Sequence, residues 1–238
     1  MHDYGSQSIF LRMRTSPRHN GERVRDQIRI GLLNGQWEPG TKIQPAALAA
    51  DYGTSTTVVR EALTRLTGEG LLFVEPNRGF FVQDLTRTQL RDLTELRCRV
   101  EELAVSLAIE RGDLTWESEL IASHHTLAHT ERRDPADPQH VSPAWAEAHR
   151  HFHAVLLEPC GLPLMLNLSG QLADATELYR QWAAPTSAAS NRNVEKEHQD
   201  ILDAAVARDA ERAAALLRLH YEKTLEVITS SGVPKSDA

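Results

Sequence analysis

From Arg87 to Arg111 the apolar residues Leu90, Leu93, Leu96, Val100, Leu103 and Leu107 fall three or four positions apart without a break. That is the spacing of a one-sided helix, and a strand, whose faces alternate every second residue, does not produce it. Further helical segments run from about Trp116 to Arg132, Ala144 to Glu158, Leu162 to Trp182, Val194 to Ala207 and Ala210 to Ser230. Helix-breaking residues separate them: Gly112, Asp134-Pro135-Ala136-Asp137-Pro138, Pro159-Cys160-Gly161, Pro185-Thr186-Ser187, and Gly232 with Pro234. No strand signal interrupts the pattern. Residues 86–232 are therefore expected to form an all-α antiparallel helical bundle, with a short tail at 233–238.

The first third of the chain reads differently. Residues 1–16 have the look of a loose arm, and Pro17 to Asn20 carry turn chemistry. Val24, Ile28 and Leu32 give one apolar helical face, closed by Gly35 and the Pro39-Gly40 turn. Pro45 suits the first turn of a short second helix, where its missing N–H costs nothing, and Gly53 suits a left-handed stop. Ser55 is a candidate N-cap for a third helix, in which Val59, Ala62, Leu63 and Leu66 form the apolar back. Leu71 to Glu75 and Phe80 to Gln83 flank Pro76-Asn77-Arg78-Gly79, the composition of a hairpin turn. Helix, short helix, Gly-containing turn, helix and hairpin make a winged helix-turn-helix over residues 17–85, ahead of the bundle. Such a module lays its last helix in the DNA major groove. Ser55, Thr56, Thr57 and Arg60 form the small hydrogen-bonding front it needs, and Arg78 at the hairpin tip can reach a phosphate or the minor groove.

Charge supports the division. The net charge of the 238 residues is −7, and residues 1–85, with 10 Lys/Arg against 9 Asp/Glu, contribute +1, so the remainder carries −8. Nine of the 11 histidines lie in that acidic part. A near-neutral head on an acidic, His-rich body implies two domains with different partners. No apolar run approaches the roughly 18 residues that a bilayer demands. The N-terminal stretch lacks an apolar signal core, and two cysteines form no disulfide framework; the expected home is the cytoplasm.

The stretch Pro39-Gly40-Thr41-Lys42-Ile43, then Leu48-Ala49, then Ser55 through Leu63, Leu66, Glu69-Gly70-Leu71 and Asn77-Arg78-Gly79 resembles the GntR family of bacterial transcription regulators. The resemblance implies operator contacts at Ser55, Thr57, Arg60 and Gly79. Two departures stand out: Thr56 takes a place where the family often has Arg, and Ala46 one where it has a charged residue. An Arg paired bidentately with guanine is worth about 1–3 kcal/mol of base discrimination, so the operator is expected to differ from the family consensus. A homodimer on an inverted-repeat duplex follows from matching two-fold symmetries.

The histidines suggest a second activity. His149 and His153 are four apart and share a helical face, while His198 and His220 lie on the two last helices. Four imidazoles from three helices can surround one ion in a bundle core; a merely polar stripe is the plainer alternative. Glu95-Leu96-Arg97 with Glu101, Phe152-His153, Glu197-His198 with Ile201, Asp209 and His220 resemble the FadR-type FCD effector domain. The resemblance implies a divalent metal held by an Asp and three His, beside a cavity for a small carboxylate effector. Here His149 stands at the Asp position, which favours Zn or Ni over Mg or Mn. Arg97 matches an inward cation able to grip the effector, and a salt bridge with Glu101 is its structural alternative.

These features together predict a ligand-responsive regulator, with repression as the expected sign, and a metal-sensing regulator as the alternative. A metal-dependent enzyme is remote. Arg150-His151-Phe152 contains no Glu of a zincin motif, Glu197 is turned about 100° from His198 along its helix, and no P-loop, dinucleotide fingerprint or nucleophile elbow is present. His124, His125 and His129 are expected on a solvated face. Trp116, Trp145 and Trp182 are expected in the core or a pocket wall, and Cys98 as a buried small hydrophobe.

Overall fold

The computed structural model describes residues 17–84, 86–133, 136, 138, 140–182 and 192–231. The arm at 1–16, Asp134, Pro135, Asp137, the Pro185-Thr186-Ser187 break, Gly232, Pro234 and the tail at 233–238 lie outside the described residues. Helix α1 (Pro17–Leu33) buries Val24, Ile28 and Leu32 as their spacing requires. It already begins at Pro17, so Pro17 to Asn20 form its first turn and not the separate turn their composition suggested; Pro needs no N–H partner there. Helices α2 (Pro45–Asp51) and α3 (Thr56–Gly68) are joined through Gly53 at φ +61°, a left-handed conformation that favours glycine. Strands β2 (Leu72–Glu75) and β3 (Gly79–Val82) form the expected hairpin. A strand that periodicity did not reveal, β1 (Lys42–Ile43), completes a three-stranded antiparallel sheet in the order β1-β3-β2, with Lys42 opposite Phe81. Two residues are too short to show a period; pairing with β3 alone makes them a strand.

Among the described residues the body consists of α4 (Arg87–Arg111), α5 (Leu114–Ala128), α6 (Pro143–Leu157), α7 (Pro163–Trp182), α8 (Val194–Val206) and α9 (Ala210–Ser230), with one 3-10 turn at Glu158–Cys160. Side-chain oxygens of Thr86, Asp113, Ser142, Asn193 and Asp209 cap the starts of α4, α5, α6, α8 and α9. The inward face of α4 departs from its leucine pattern. Leu96 and Leu103 are about half exposed, while Arg97, Glu101 and Thr94 are buried with Leu90, Cys98, Ala104 and Val105. The buried side is partly polar, and hydrogen bonding compensates the burial: Thr94 donates to the Leu90 carbonyl, and Glu101 accepts from Arg97 and Ser169.

Head and body are packed together. Leu90 of α4, Leu178 and Tyr179 of α7 and Ile228 of α9 belong to the same apolar core as Val24, Ile28 and Leu32. Arg29 of α1 donates from Nε to Oδ2 of the buried Asp174 on α7 at 3.0 Å, and its Nη2 pairs with the same oxygen. Asp174→Asn removes this charge-assisted contact. It is expected to weaken the docking of α1 by about 1 kcal/mol, read as faster amide exchange in α1 with unchanged exchange in α6.

Candidate nucleic-acid interface and metal centre

Ser55 caps α3 by accepting a hydrogen bond from the Val58 N–H at 3.3 Å. Its φ and ψ are extended, so the chain enters the helix with Thr56, Thr57 and Arg60 on the outer side, all exposed, while Val59, Ala62, Leu63 and Leu66 face the core. The Arg60 guanidinium lies 5.7 Å from the centre of the Phe80 ring, which leans it toward the hairpin. Arg78 is exposed at the hairpin tip, ion-paired with Glu75 and 5.3 Å from the Phe81 ring centre. Gly79 has φ +105°, and Lys42 of β1 lies within van der Waals reach of the space beside it. Sequence reasoning missed Lys42, because nothing local announced that β1 would bring it to the wing.

His149 and His153 of α6, His198 of α8 and His220 of α9 meet in the bundle, each at least 96 % buried. One ring nitrogen from each lies within 4.8 Å of all the others. Ligand nitrogens around a tetrahedral ion at 2.0–2.1 Å would be about 3.4 Å apart, so small side-chain movements would close the set. Burial depresses the pKa of all four, that of His198 to about 3, and the neutral imidazole it preserves is the ligating form. Nε2 of His153 and Nε2 of His198 are buried without a hydrogen-bond partner. Buried polar atoms are seldom left so, and two of them within one cluster of four histidines fit a cation.

Contacts behind the rings orient them. Glu197 Oε2 lies 2.8 Å from His220 Nδ1, and Arg192 binds Glu197 and the His220 carbonyl. Glu197 thus does not face away, as its helical offset from His198 suggested; it turns toward the neighbouring helix and supports a different histidine. Arg180 approaches Nδ1 of His149 at 3.4 Å, and Glu177 pairs with Arg180. Tyr221 touches both His153 and Glu101. Trp145 stacks on His149 with ring centres 4.6 Å apart.

His149, His153 and Arg97 line a cavity of about 860 Å³, whose wall also includes Ser169, Asp174 and Arg180. Arg97 forms the salt bridge that was its structural alternative, donating from Nε to Glu101 at 2.8 Å, and it also lines this space. Of the other histidines, His125 and His129 are exposed, with tilted rings whose centres are 4.1 Å apart. His124 is instead buried, with Phe152 against its ring at 5.6 Å, because it occupies the inward face of α5. Trp116 and Trp145 are buried as expected and Trp182 borders the head core. Burial pushes the Cys98 thiol up to about 11, the behaviour of a small hydrophobe.

Comparison with known proteins agrees with this anatomy. Residues 20–82 match the model of the bacterial regulatory proteins of the gntR family, and residues 92–223 match the FCD domain. The chain is 32% identical over 212 residues to the HTH-type transcriptional regulator BphR of Paraburkholderia xenovorans strain LB400, covering 89% of this chain and 86% of that protein. It is 30% identical over 200 residues to the HTH-type transcriptional repressor GlaR of Escherichia coli K12, covering 83% and 90%. Its fold resembles that of E. coli McbR/YncC, with a TM-score of 0.75 at 21% identity over 89% of this chain and 97% of the other. Among the described residues no helix is long and apolar enough to cross a membrane. A reading head built on α3, a helical body built around a cavity and these relatives lead to one conclusion: the chain belongs to the GntR family and is a DNA-binding transcriptional regulator with an FCD effector domain, not an enzyme.

Proposed function

We propose that this protein is a cytoplasmic repressor that binds an inverted-repeat operator as a homodimer and responds to a small organic acid held beside a divalent ion in its helical domain. The observation that carries the reading is the cluster His149, His153, His198 and His220 at the wall of a cavity that also holds Arg97. Arg97 would pair with the effector carboxylate, and the four imidazoles would hold Zn or Ni, an ion able to accept a further oxygen ligand. Repression is supported by the similarity to GlaR, a transcriptional repressor. The dimer is supported by Leu96 and Leu103, two turns apart on α4 and exposed. The cavity favours the metabolite over the ion as signal, because a bare metal sensor needs no such volume.

The body can move the head because α7 serves both. Asp174 and Arg180 line the cavity, Leu178 and Tyr179 pack into the head core, and Asp174 holds Arg29. Coupling of about 1–3 kcal/mol through these contacts changes operator affinity 5- to 150-fold. The test is operator affinity, on a duplex selected from random sequences, with Zn or Ni and with organic acids added separately and together. Dependence on an acid in the presence of the ion supports this reading; dependence on the ion alone supports the metal-sensing alternative, and dependence on neither refutes both.

Two further outcomes are expected. His149→Asp adds a hard, charged ligand and shifts the ion preference toward Mn or Mg, measured by competition between metals; unchanged Zn or Ni preference removes His149 from the ligand set. Lys42 and Arg78 on two heads supply about four phosphate contacts, for which the logarithm of affinity falls with that of salt at a slope of about −4. A slope near zero in a salt titration overturns the assignment.

A further inference from the structure

The hydroxyl of Tyr221 lies between His153 and a buried acid, Glu101. Glu101 accepts from Arg97 Nε at 2.8 Å, from Ser169 Oγ at 2.8 Å and from the Tyr221 hydroxyl. A carboxylate receiving these bonds has no proton to give, so the single phenolic hydrogen points to Glu101. Toward His153 Nδ1, 3.2 Å away, the phenol oxygen then offers only a lone pair. The hydrogen in that bond must belong to the imidazole. A neutral imidazole carries one N–H; with it on Nδ1, Nε2 is a bare lone pair. That atom is one of two buried imidazole nitrogens without a partner among the described residues.

The group is buried throughout: Glu101, Arg97, Tyr221 and His153 expose between 0% and 4% of their surface. The Arg97 guanidinium also stacks 4.1 Å from the centre of the Tyr221 ring, so the same arginine holds the acid and the ring of the residue that hydrogen-bonds it. We propose that Tyr221 is a positioning residue for the ion site, holding His153 in the tautomer that ligates and tying the ion to Arg97, the cation of the effector cavity. The inference rests on the reading of the four histidines as an ion site. Glu197 does the corresponding work for His220. His149 has no such support: its Nδ1 faces a donor, Arg180, which favours the opposite tautomer.

Tyr221→Phe removes the hydroxyl and keeps the ring, and Co(II) and Zn(II) alone serve as probes in the full-length chain. Loss of a group that orients a ligating histidine costs 10- to 100-fold in metal affinity, and that loss is expected in competition with a chromophoric chelator, with an altered visible spectrum of the Co(II) form. Nitrogen NMR of the metal-free wild type is expected to find His153 protonated on Nδ1, and in the variant to find a mixture of tautomers. Equal metal affinity and an unchanged Co(II) spectrum in the variant overturn the role of Tyr221 while leaving the ion site standing. A wild type that takes up neither ion overturns both. Should the variant fail to fold, the wild-type tautomer decides, since a proton on Nε2 of His153 contradicts the assignment.

Discussion

Arg60→Ala is expected to abolish specific operator binding in a gel-shift assay while leaving the melting temperature of the protein nearly unchanged. Arg60 is exposed one turn into α3, on the side opposite the buried Val59, Leu63 and Leu66. Its contact with the Phe80 ring is an exposed cation–π interaction worth about 0.5–1 kcal/mol to the fold. In the major groove the same guanidinium can make a bidentate pair worth about 1–3 kcal/mol of base discrimination. A two-fold dimer places one on each half-site, and the doubled loss lies between roughly 30-fold and 10⁴-fold in specific affinity. Non-specific binding at low salt is expected to persist, because it draws on phosphate contacts from other cations. Specific affinity equal to wild type would remove Arg60 from the reading face.

The combined replacement His153→Ala and His198→Ala is expected to leave the purified chain without bound metal, read by elemental analysis. These two residues contribute the nitrogens that are buried without partners. Losing them leaves His149 and His220, too few ligands for a tetrahedral site. His149 is further handicapped by the Arg180 donor at its Nδ1. The fold should survive in part: both rings pack edge-on against Phe152, at 5.4 and 5.5 Å between ring centres, but the apolar core that Phe152 shares with Leu156 and Ile201 is kept. Operator binding should remain, while any response to organic acids is lost. Undiminished metal content would refute the site.

Much of this arrangement was legible from spacing alone. The recognition helix, its Ser55 cap and its apolar back follow from a 3.6-residue period and a polar start. The six long helices of the body also match their periodic segments. Three kinds of feature were not legible. Strand β1 has only two residues and exists through its partner. The polar inner face of α4 conflicts with its leucine spacing, because partners on other helices, Ser169 and Tyr221, satisfy the buried Glu101. The supports of the histidines come from positions 52 residues before His153, at Glu101, and 68 after it, at Tyr221, and no local pattern links residues so far apart.

By itself the sequence determined which segments are helical, where they stop, which residues front α3 and which four histidines share the bundle. These depend on short-range periodicity and on the conformational preferences of Ser, Pro and Gly, which act within a few residues. Only the tertiary structure decided that Glu197 serves His220, that Tyr221 joins His153 to Glu101, and that Arg29 of the head is held by Asp174 of the body. Hydrogen bonds of this kind depend on side-chain positions to within a few tenths of an ångström, and the packing of whole helices sets those positions.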